Sequence, residues 1–365
     1  MLTGLSDADL GERLAARTLE LIDVPSESRD EAALAAHVLA VLRDGGVDAR
    51  DAGDTCVLAT APGPAGGPRI LLGGHLDTVP AQGNRPGRRD AGAVHGLGAA
   101  DMLGAVAVML ELALAAQEPG AGPAARVELC LFGREELPVA ESALSPLLAR
   151  EPSLTAADLV VMMEPTANAL HAGCLGNVNA TWTFHGRSGH SARPWQADNA
   201  IEHAARAIAA LAEAAPPLER SFDGLTFTEV VAVTRIEGGI ADNVIPDHVA
   251  CHVNQRYAPG TTAAEAEARL HALCDGPGRE LAVGSNAPSA PVHVADPLVQ
   301  RLIAAGDLPV APKQAWTPVA EFAAAGLPAV NFGPGDPRFA HRRDEQVDVA
   351  ALVRSFRVLE AFLCA

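Results

Sequence analysis

Apolar residues along this chain fall into short runs that stop at glycine or proline, separated by longer stretches with helical spacing. Ile70-Leu71-Leu72 runs into Gly73-Gly74, Val127 to Phe132 into Gly133, Asp158 to Met163 into Glu164-Pro165, and Ala329 to Phe332 into Gly333-Pro334. Runs of this kind, with no polar alternation, read as buried strands of a parallel sheet, and Pro165 stops its run from continuing. Helical patterns begin at Asp9, at Glu31 (ending at Gly45-Gly46) and over Val106 to Leu114. Strands alternating with helices predict an α/β fold: a doubly wound, mostly parallel sheet with helices on both faces.

After Gly176 the pattern changes. Asn179 to His185 alternates as a half-exposed strand, and Asp198-Asn199 caps a helix whose apolar contacts are expected at Ile201, Ala205, Ile208 and Leu211. Strands over Val230 to Ile236 and His248 to Tyr257, a helix from Thr262 and the segment Arg279 to Gly284 complete a smaller inserted α+β domain. It is placed at residues 177–288, with hinges near Gly176 and Pro288, leaving 1–176 and 289–365 as one larger domain. A chain of 365 residues exceeds the usual size of a single core, which agrees with two.

Composition narrows the function classes. A formal charge of −18 excludes a nucleic-acid footprint, which needs a basic surface. No run of roughly 18 apolar residues suggests a membrane span, and no basic start followed by an apolar stretch suggests secretion, so a cytoplasmic protein without a membrane partner is expected. The six cysteines form no Cys-x-x-Cys pair and read as reduced, mostly buried thiols. Of the twelve histidines, His37, His203 and His271 lie in alanine-rich helical patterns and His248 and His252 on an alternating strand, where surface or packing roles are expected.

The candidate chemistry stands just beyond the strand ends, where open α/β sheets bind ligands. His75 and Asp77 are two residues apart on an extended chain and point the same way. A carboxylate there can accept the imidazole's second N–H while the other ring nitrogen binds a metal. Asp101 lies between glycines ahead of the helix pattern from Val106, where a helix N-cap is the competing reading. Glu135 and Glu136 follow one strand, Glu164 another, and His341 follows the last across Gly333-Pro334-Gly335-Asp336-Pro337. Imidazole with carboxylate ligation suits zinc, manganese or cobalt over magnesium or calcium. Two such ions roughly 3.5–4 Å apart need one bridging carboxylate and terminal ligands on each side. One carboxylate is then left to move the protons that hydrolysis requires.

In this order, His75-Leu76-Asp77, Gly96-Leu97-Gly98-Ala99-Ala100-Asp101-Met102, Glu135-Glu136, Glu164-Pro165-Thr166 and the late His341 resemble the co-catalytic zinc aminoacylase and exopeptidase family that includes acetylornithine deacetylase and carboxypeptidase G2. Gly189-His190-Ser191-Ala192-Arg193, Asn243-Val244-Ile245-Pro246-Asp247 and Ala340-His341-Arg342-Arg343-Asp344-Glu345 are most similar to its actinobacterial members that remove succinate from a diaminopimelate. The resemblance implies a metal-dependent amidohydrolase with two zinc ions, cobalt or manganese being alternatives. His75 and Glu164 would be terminal ligands of one ion, Glu136 and His341 of the other, and Asp101 the bridge, followed by a cis peptide to Met102. Asp77 would orient His75, Glu135 would be the general acid and base, and His190 would reach the active site from the partner subunit of a homodimer to stabilise the oxyanion. Asn243, Arg256 and Thr317 match substrate-contacting positions.

The implied substrate is a small N-acyl amino acid, N-succinyl-L,L-diaminopimelate, giving succinate and L,L-diaminopimelate. Two positions depart from the pattern: Pro318 stands where the family has aspartate after threonine, and Leu103 where it has lysine. Both would suit a related N-acyl amino acid deacylase or dipeptidase of the same family in a specialised pathway. A non-catalytic dimeric binding protein is a remote alternative, disfavoured because a scaffold has no reason to keep Glu135.

Overall fold

The computed structural model describes residues 2–118 and 120–365, which divide into two compact units. One comprises Met1–Gly173, His293–Ala311 and Thr317–Ala365; the other comprises Cys174–Val292 and Pro312–Trp316. Among the described residues no helix is long and apolar enough to cross a membrane.

An eight-stranded sheet organises the first unit, in the order Asp48–Gly53, Cys56–Ala61, Arg126–Phe132, Arg69–His75, Leu159–Met162, Ala329–Asn331, Leu170–Ala172 and Val310–Pro312. The four central strands are mutually parallel, with Ile70 to His75 in register with Val127 to Phe132 and Ala329 to Asn331 with Val160 to Met162. Antiparallel pairs close one margin, and Ala329–Asn331 is antiparallel to Leu170–Ala172 on the other side. Because strand neighbours face opposite sides, adjacent glycines report both faces at once. A Cβ on Gly73 would press on Met162 and Phe322, and one on Gly74 on Met102 and Met109, so helices Val319–Ala324 and Gly104–Ala115 cover opposite faces. Gly104–Ala115 is buried nearly throughout, the all-round apolar character of a core helix. Parallel pairing has one consequence for chemistry: the C-terminal ends of the four central strands share one edge.

The second unit is an antiparallel five-stranded sheet, ordered Leu218–Phe222, Leu225–Gly238, His248–Tyr257, Gly176–His185 and Arg279–Ala287. Its core gathers Trp182, Phe184, Val249, Val253 and Tyr257 from the strands with Leu211 and Leu270 from helices Ala200–Ala214 and Ala263–Cys274. Gly176 is required at its position because any Cβ would fall 2.1 Å from the Tyr257 ring. Asn199 does cap the first helix, accepting from the Ile201 N–H at 3.0 Å. The inward face differs from the expected one. Ala200, Ala204, Ala207 and Leu211 are buried while Ile201 is 43% exposed, since the stripe begins at the first helical residue and recurs at four- and three-residue steps.

Trp182 is fully buried and its indole N–H donates to the Cys274 carbonyl at 3.0 Å. Trp182→Ala removes that bond and leaves a large cavity, so a loss of about 3–5 kcal/mol in stability is expected, read from urea unfolding followed by circular dichroism. An unchanged midpoint would rule out this core as the source of the unit's stability.

Candidate active site

Shared strand polarity brings the donors together. His75 closes the strand Arg69–His75, Glu135 and Glu136 follow Arg126–Phe132 after a two-residue turn, Glu164 follows Leu159–Met162, and the loop to His341 leaves Ala329–Asn331. Arg134 makes the turn possible by adopting φ 61°, and its guanidinium anchors there on the Glu141 carbonyl and the Asp54 carboxylate. Asp101 lies in the segment Ala99–Leu103, in non-helical conformation, and caps nothing: helix Gly104–Ala115 begins three residues later. The Asp101–Met102 peptide is cis. Gly335 lets the His341 loop close onto this segment, for its Cβ would fall 2.1 Å from the Ala100 carbonyl.

Asp101 stands at the centre. Its Oδ1 is 3.2 Å from His75 Nε2 and its Oδ2 is 3.4 Å from His341 Nε2. His341 Nε2 also lies 2.9 Å from Glu136 Oε1, and His75 Nε2 lies 4.0 Å from Glu164 Oε1. Donor atoms of His75, Asp101 and Glu136 lie within 4.8 Å of one another, and so do those of His75, Glu135 and Glu164. His75 Nδ1 is 2.9 Å from the main-chain carbonyl of Asp77. A carbonyl can only accept, so Nδ1 carries a proton, and Nε2 is the ring nitrogen that faces the carboxylates.

Asp77 therefore addresses His75 through its main chain, its carboxylate oxygen being 3.6 Å from the ring. That carboxylate is committed elsewhere. Its two oxygens accept the N–H groups of Glu135 at 2.9 Å and Glu136 at 3.0 Å, and Oδ2 also accepts the Ser28 hydroxyl at 2.8 Å. Asp77 thus holds in place the backbone of the two glutamates.

The electrostatics of this cluster call for positive charge. Burial alone would lower the His75 pKa, but its bond to Asp101 and the charges of Glu135, Asp77 and Asp101 outweigh burial and carry it well above the usual histidine range. Bonds to Asp101 and Glu136 push His341 up to about 10. Burial would raise Asp101, yet its bonds to His341 and His75 hold it well below the usual carboxylate range. Glu135 is carried well above its ordinary value by burial and by the neighbouring Glu164 charge, and burial also raises Glu136. Imidazoles that bind protons this firmly among carboxylates occupy a site that equally favours a divalent cation. The donors, two imidazoles with several carboxylates and no thiolate, fit zinc-like ions.

The remaining candidates divide between the units. Thr317 is buried in the first, just before helix Val319–Ala324. Leu103, where lysine was the family expectation, packs in the core. His190, Asn243 and Arg256 belong to the second unit. The short strand Gly189–His190 pairs with Val244–Ile245, and the Ser191 N–H donates to the Asn243 carbonyl at 3.0 Å, setting His190 beside Asn243. His190 Nδ1 accepts the Ala192 N–H at 3.1 Å. In the neutral ring this leaves Nε2–H as an exposed donor. Arg256 is half-buried, its Nε donating to Asn254 Oδ1 at 3.0 Å; Asn254 is fixed in turn by Asn177 and Asn179. Burial lowers the Arg256 pKa, and no carboxylate pairs with it among the described residues.

Ser28 and Glu345 had no assigned role from sequence. Nothing local marks Ser28, whereas Glu345 ends the motif Ala340-His341-Arg342-Arg343-Asp344-Glu345, four residues after His341.

Fold and donor set together define a metal-dependent hydrolase, and the chain belongs to peptidase family M20/M25/M40, whose signature matches residues 71–365. It is similar to succinyl-diaminopimelate desuccinylase of Corynebacterium glutamicum, 36% identical over 93% of this chain and 94% of that one. A Mycobacterium tuberculosis protein provisionally designated succinyl-diaminopimelate desuccinylase is 38% identical over 95% of this chain and 96% of its own length. The fold is shared with aminopeptidase PepT from Bacillus cereus, with TM-score 0.80 at 21% identity, covering 97% of this chain and 98% of the other. It is also shared with the Bacillus subtilis YXEP protein, described as a dinuclear metal binding peptidase, with TM-score 0.69 at 16% identity and 98% coverage of both chains.

Proposed function

We propose that the chain is a two-metal amidohydrolase that converts N-succinyl-L,L-diaminopimelate and water to succinate and L,L-diaminopimelate. The observation that carries this reading is Asp101, whose two oxygens face two different histidines, as a carboxylate bridging two ions must. His75 and Glu164 complete one site and His341 and Glu136 the other, each with zinc as the preferred ion and cobalt or manganese as substitutes. The names of the two relatives support the substrate, and the description of the Bacillus subtilis neighbour supports two ions.

When bound, the ions supply Lewis acidity that polarises the scissile carbonyl and acidifies a water. Glu135, whose carboxylate lies beside those of the donor set, would take a proton from the attacking water and deliver it to the departing amine nitrogen. Asp77 keeps Glu135 and Glu136 in place through their N–H groups. Arg256, with no carboxylate of its own, is suited to a substrate carboxylate, and Asn243 and Thr317 add polar contacts.

The segment 177–288, which lies within the second unit, serves as lid and dimerisation domain. Among the described residues the exposed large apolar side chains, Trp195, Ile201, Leu218, Ile236 and Ile240, lie in it, and exposed apolar groups favour association. His190 then works across the dimer, its Nε2–H stabilising the oxyanion, a contribution typically of about 2.7–4 kcal/mol. Mixing inactive Glu135→Gln subunits with inactive His190→Ala subunits is expected to restore activity in the purified heterodimer. Heterodimers no better than either parent would exclude the cross-subunit role.

Succinate release from N-succinyl-L,L-diaminopimelate, compared with hydrolysis of N-acetyl amino acids and dipeptides by zinc-loaded protein, tests the substrate. Faster turnover of dipeptides would transfer the reading to a dipeptidase of the same family.

A further inference from the structure

Glu345 is a buried carboxylate, 2% exposed, with no arginine or lysine paired to it among the described residues. Such a charge is expensive to hold unless its oxygens are satisfied. Three main-chain N–H groups satisfy them. Oε1 accepts those of Ala100 and Asp101, each at 3.0 Å, and Oε2 accepts that of Gly98 at 3.0 Å. The backbone of the same residue adds a fourth tie, the Gly96 N–H donating to the Glu345 carbonyl at 3.0 Å. Every one of these bonds ends on the segment 96–101, and the one from the Asp101 N–H to Oε1 fixes the main chain of Asp101 itself.

Glu345 also belongs to the loop that presents His341. Its N–H donates to the Arg342 carbonyl at 3.2 Å, and this loop is propped from outside by Gln82, whose amide donates to the His341 carbonyl at 3.0 Å. His341 sits at φ 61°, a conformation that a non-glycine residue keeps only where its surroundings impose it. One residue therefore joins the loop of a terminal ligand to the segment of the carboxylate that faces both histidines.

We propose that Glu345 is a positioning residue for Asp101, locking it to the His341 loop so that both ion sites form as one unit. The inference rests on the two-ion reading above. Groups that orient metal ligands typically change metal affinity or activity by about 10–100-fold when removed.

Glu345→Gln is the direct test, because it preserves shape but can present only one carbonyl oxygen, leaving an NH2 against the N–H of Gly98 or of Ala100 and Asp101. Metal-free wild type and variant are titrated with cobalt(II), followed by calorimetry and by the visible absorption of the bound ion. The variant is expected to bind the second cobalt about 10–100-fold more weakly, with an altered cobalt spectrum, and to regain turnover at saturating metal with KM unchanged. A folded variant that binds two ions with wild-type affinity and spectrum overturns the assignment even if its melting temperature falls, since stability alone would then be its role. Wild type that binds fewer than two ions would instead overturn the two-ion reading and this inference with it. If Glu345→Gln does not fold, Glu345→Asp, which keeps the charge but withdraws it by one methylene, is read against the same two outcomes.

Discussion

Glu135→Gln is expected to retain two bound ions while kcat falls by about 10²–10⁴-fold, the usual contribution of a positioned acid and base. The substitution is nearly isosteric, and the main-chain N–H of residue 135 still donates to Asp77, so the turn that carries Glu136 stays in place. What disappears is the only group in the proposed set able to accept the water's proton and return it to the amine. Metal analysis of the same preparation used for kinetics decides the matter: near-normal turnover with both ions present would remove Glu135 from the mechanism. Loss of an ion in the variant would instead make residue 135 a ligand, in keeping with the proximity of its carboxylate to His75 and Glu164.

Metal removal should have an effect as large. Exhaustive chelation is expected to abolish turnover, and zinc or cobalt to restore it, because the water and the scissile carbonyl lose their activation together. His75→Ala and His341→Ala should each deplete a different site, since the two imidazoles approach different oxygens of Asp101. Stability should follow occupancy: an ion at 100 times its dissociation constant adds about 2.7 kcal/mol to the folded state, visible as a melting temperature that rises with added zinc. Activity that survives chelation would end the two-ion reading altogether.

The strands that carry the site were legible because their apolar runs stop abruptly at glycine or proline, and local chemistry alone produces that signal. The face of helix Ala200–Ala214 was less so. Ile201 looked like a core residue by hydropathy, yet it is exposed and alanines line the interior, since packing against strands Gly176–His185 and His248–Tyr257 selects small side chains there. Asp77 shows the same limit at the site. Its spacing from His75 pointed its carboxylate at the imidazole, but N–H groups from a turn 58 and 59 residues away claim it instead.

The sequence by itself determined which chemical groups would be available, imidazoles at 75 and 341 and carboxylates at 101, 135, 136 and 164, and that those at 75, 135, 136, 164 and 341 would follow strands. Local order suffices for that, because a run's length and its stop signal do not depend on distant residues. Only the tertiary structure decided that Asp101 would turn one oxygen to His75 and the other to His341, that His341 would meet Glu136 from 205 residues away, and that Glu345 would close on the Asp101 segment. Those relations come from parallel pairing of strands distant in sequence, which places their C-terminal ends along one edge, and from loops whose paths are set by bonds to partners that no local pattern names.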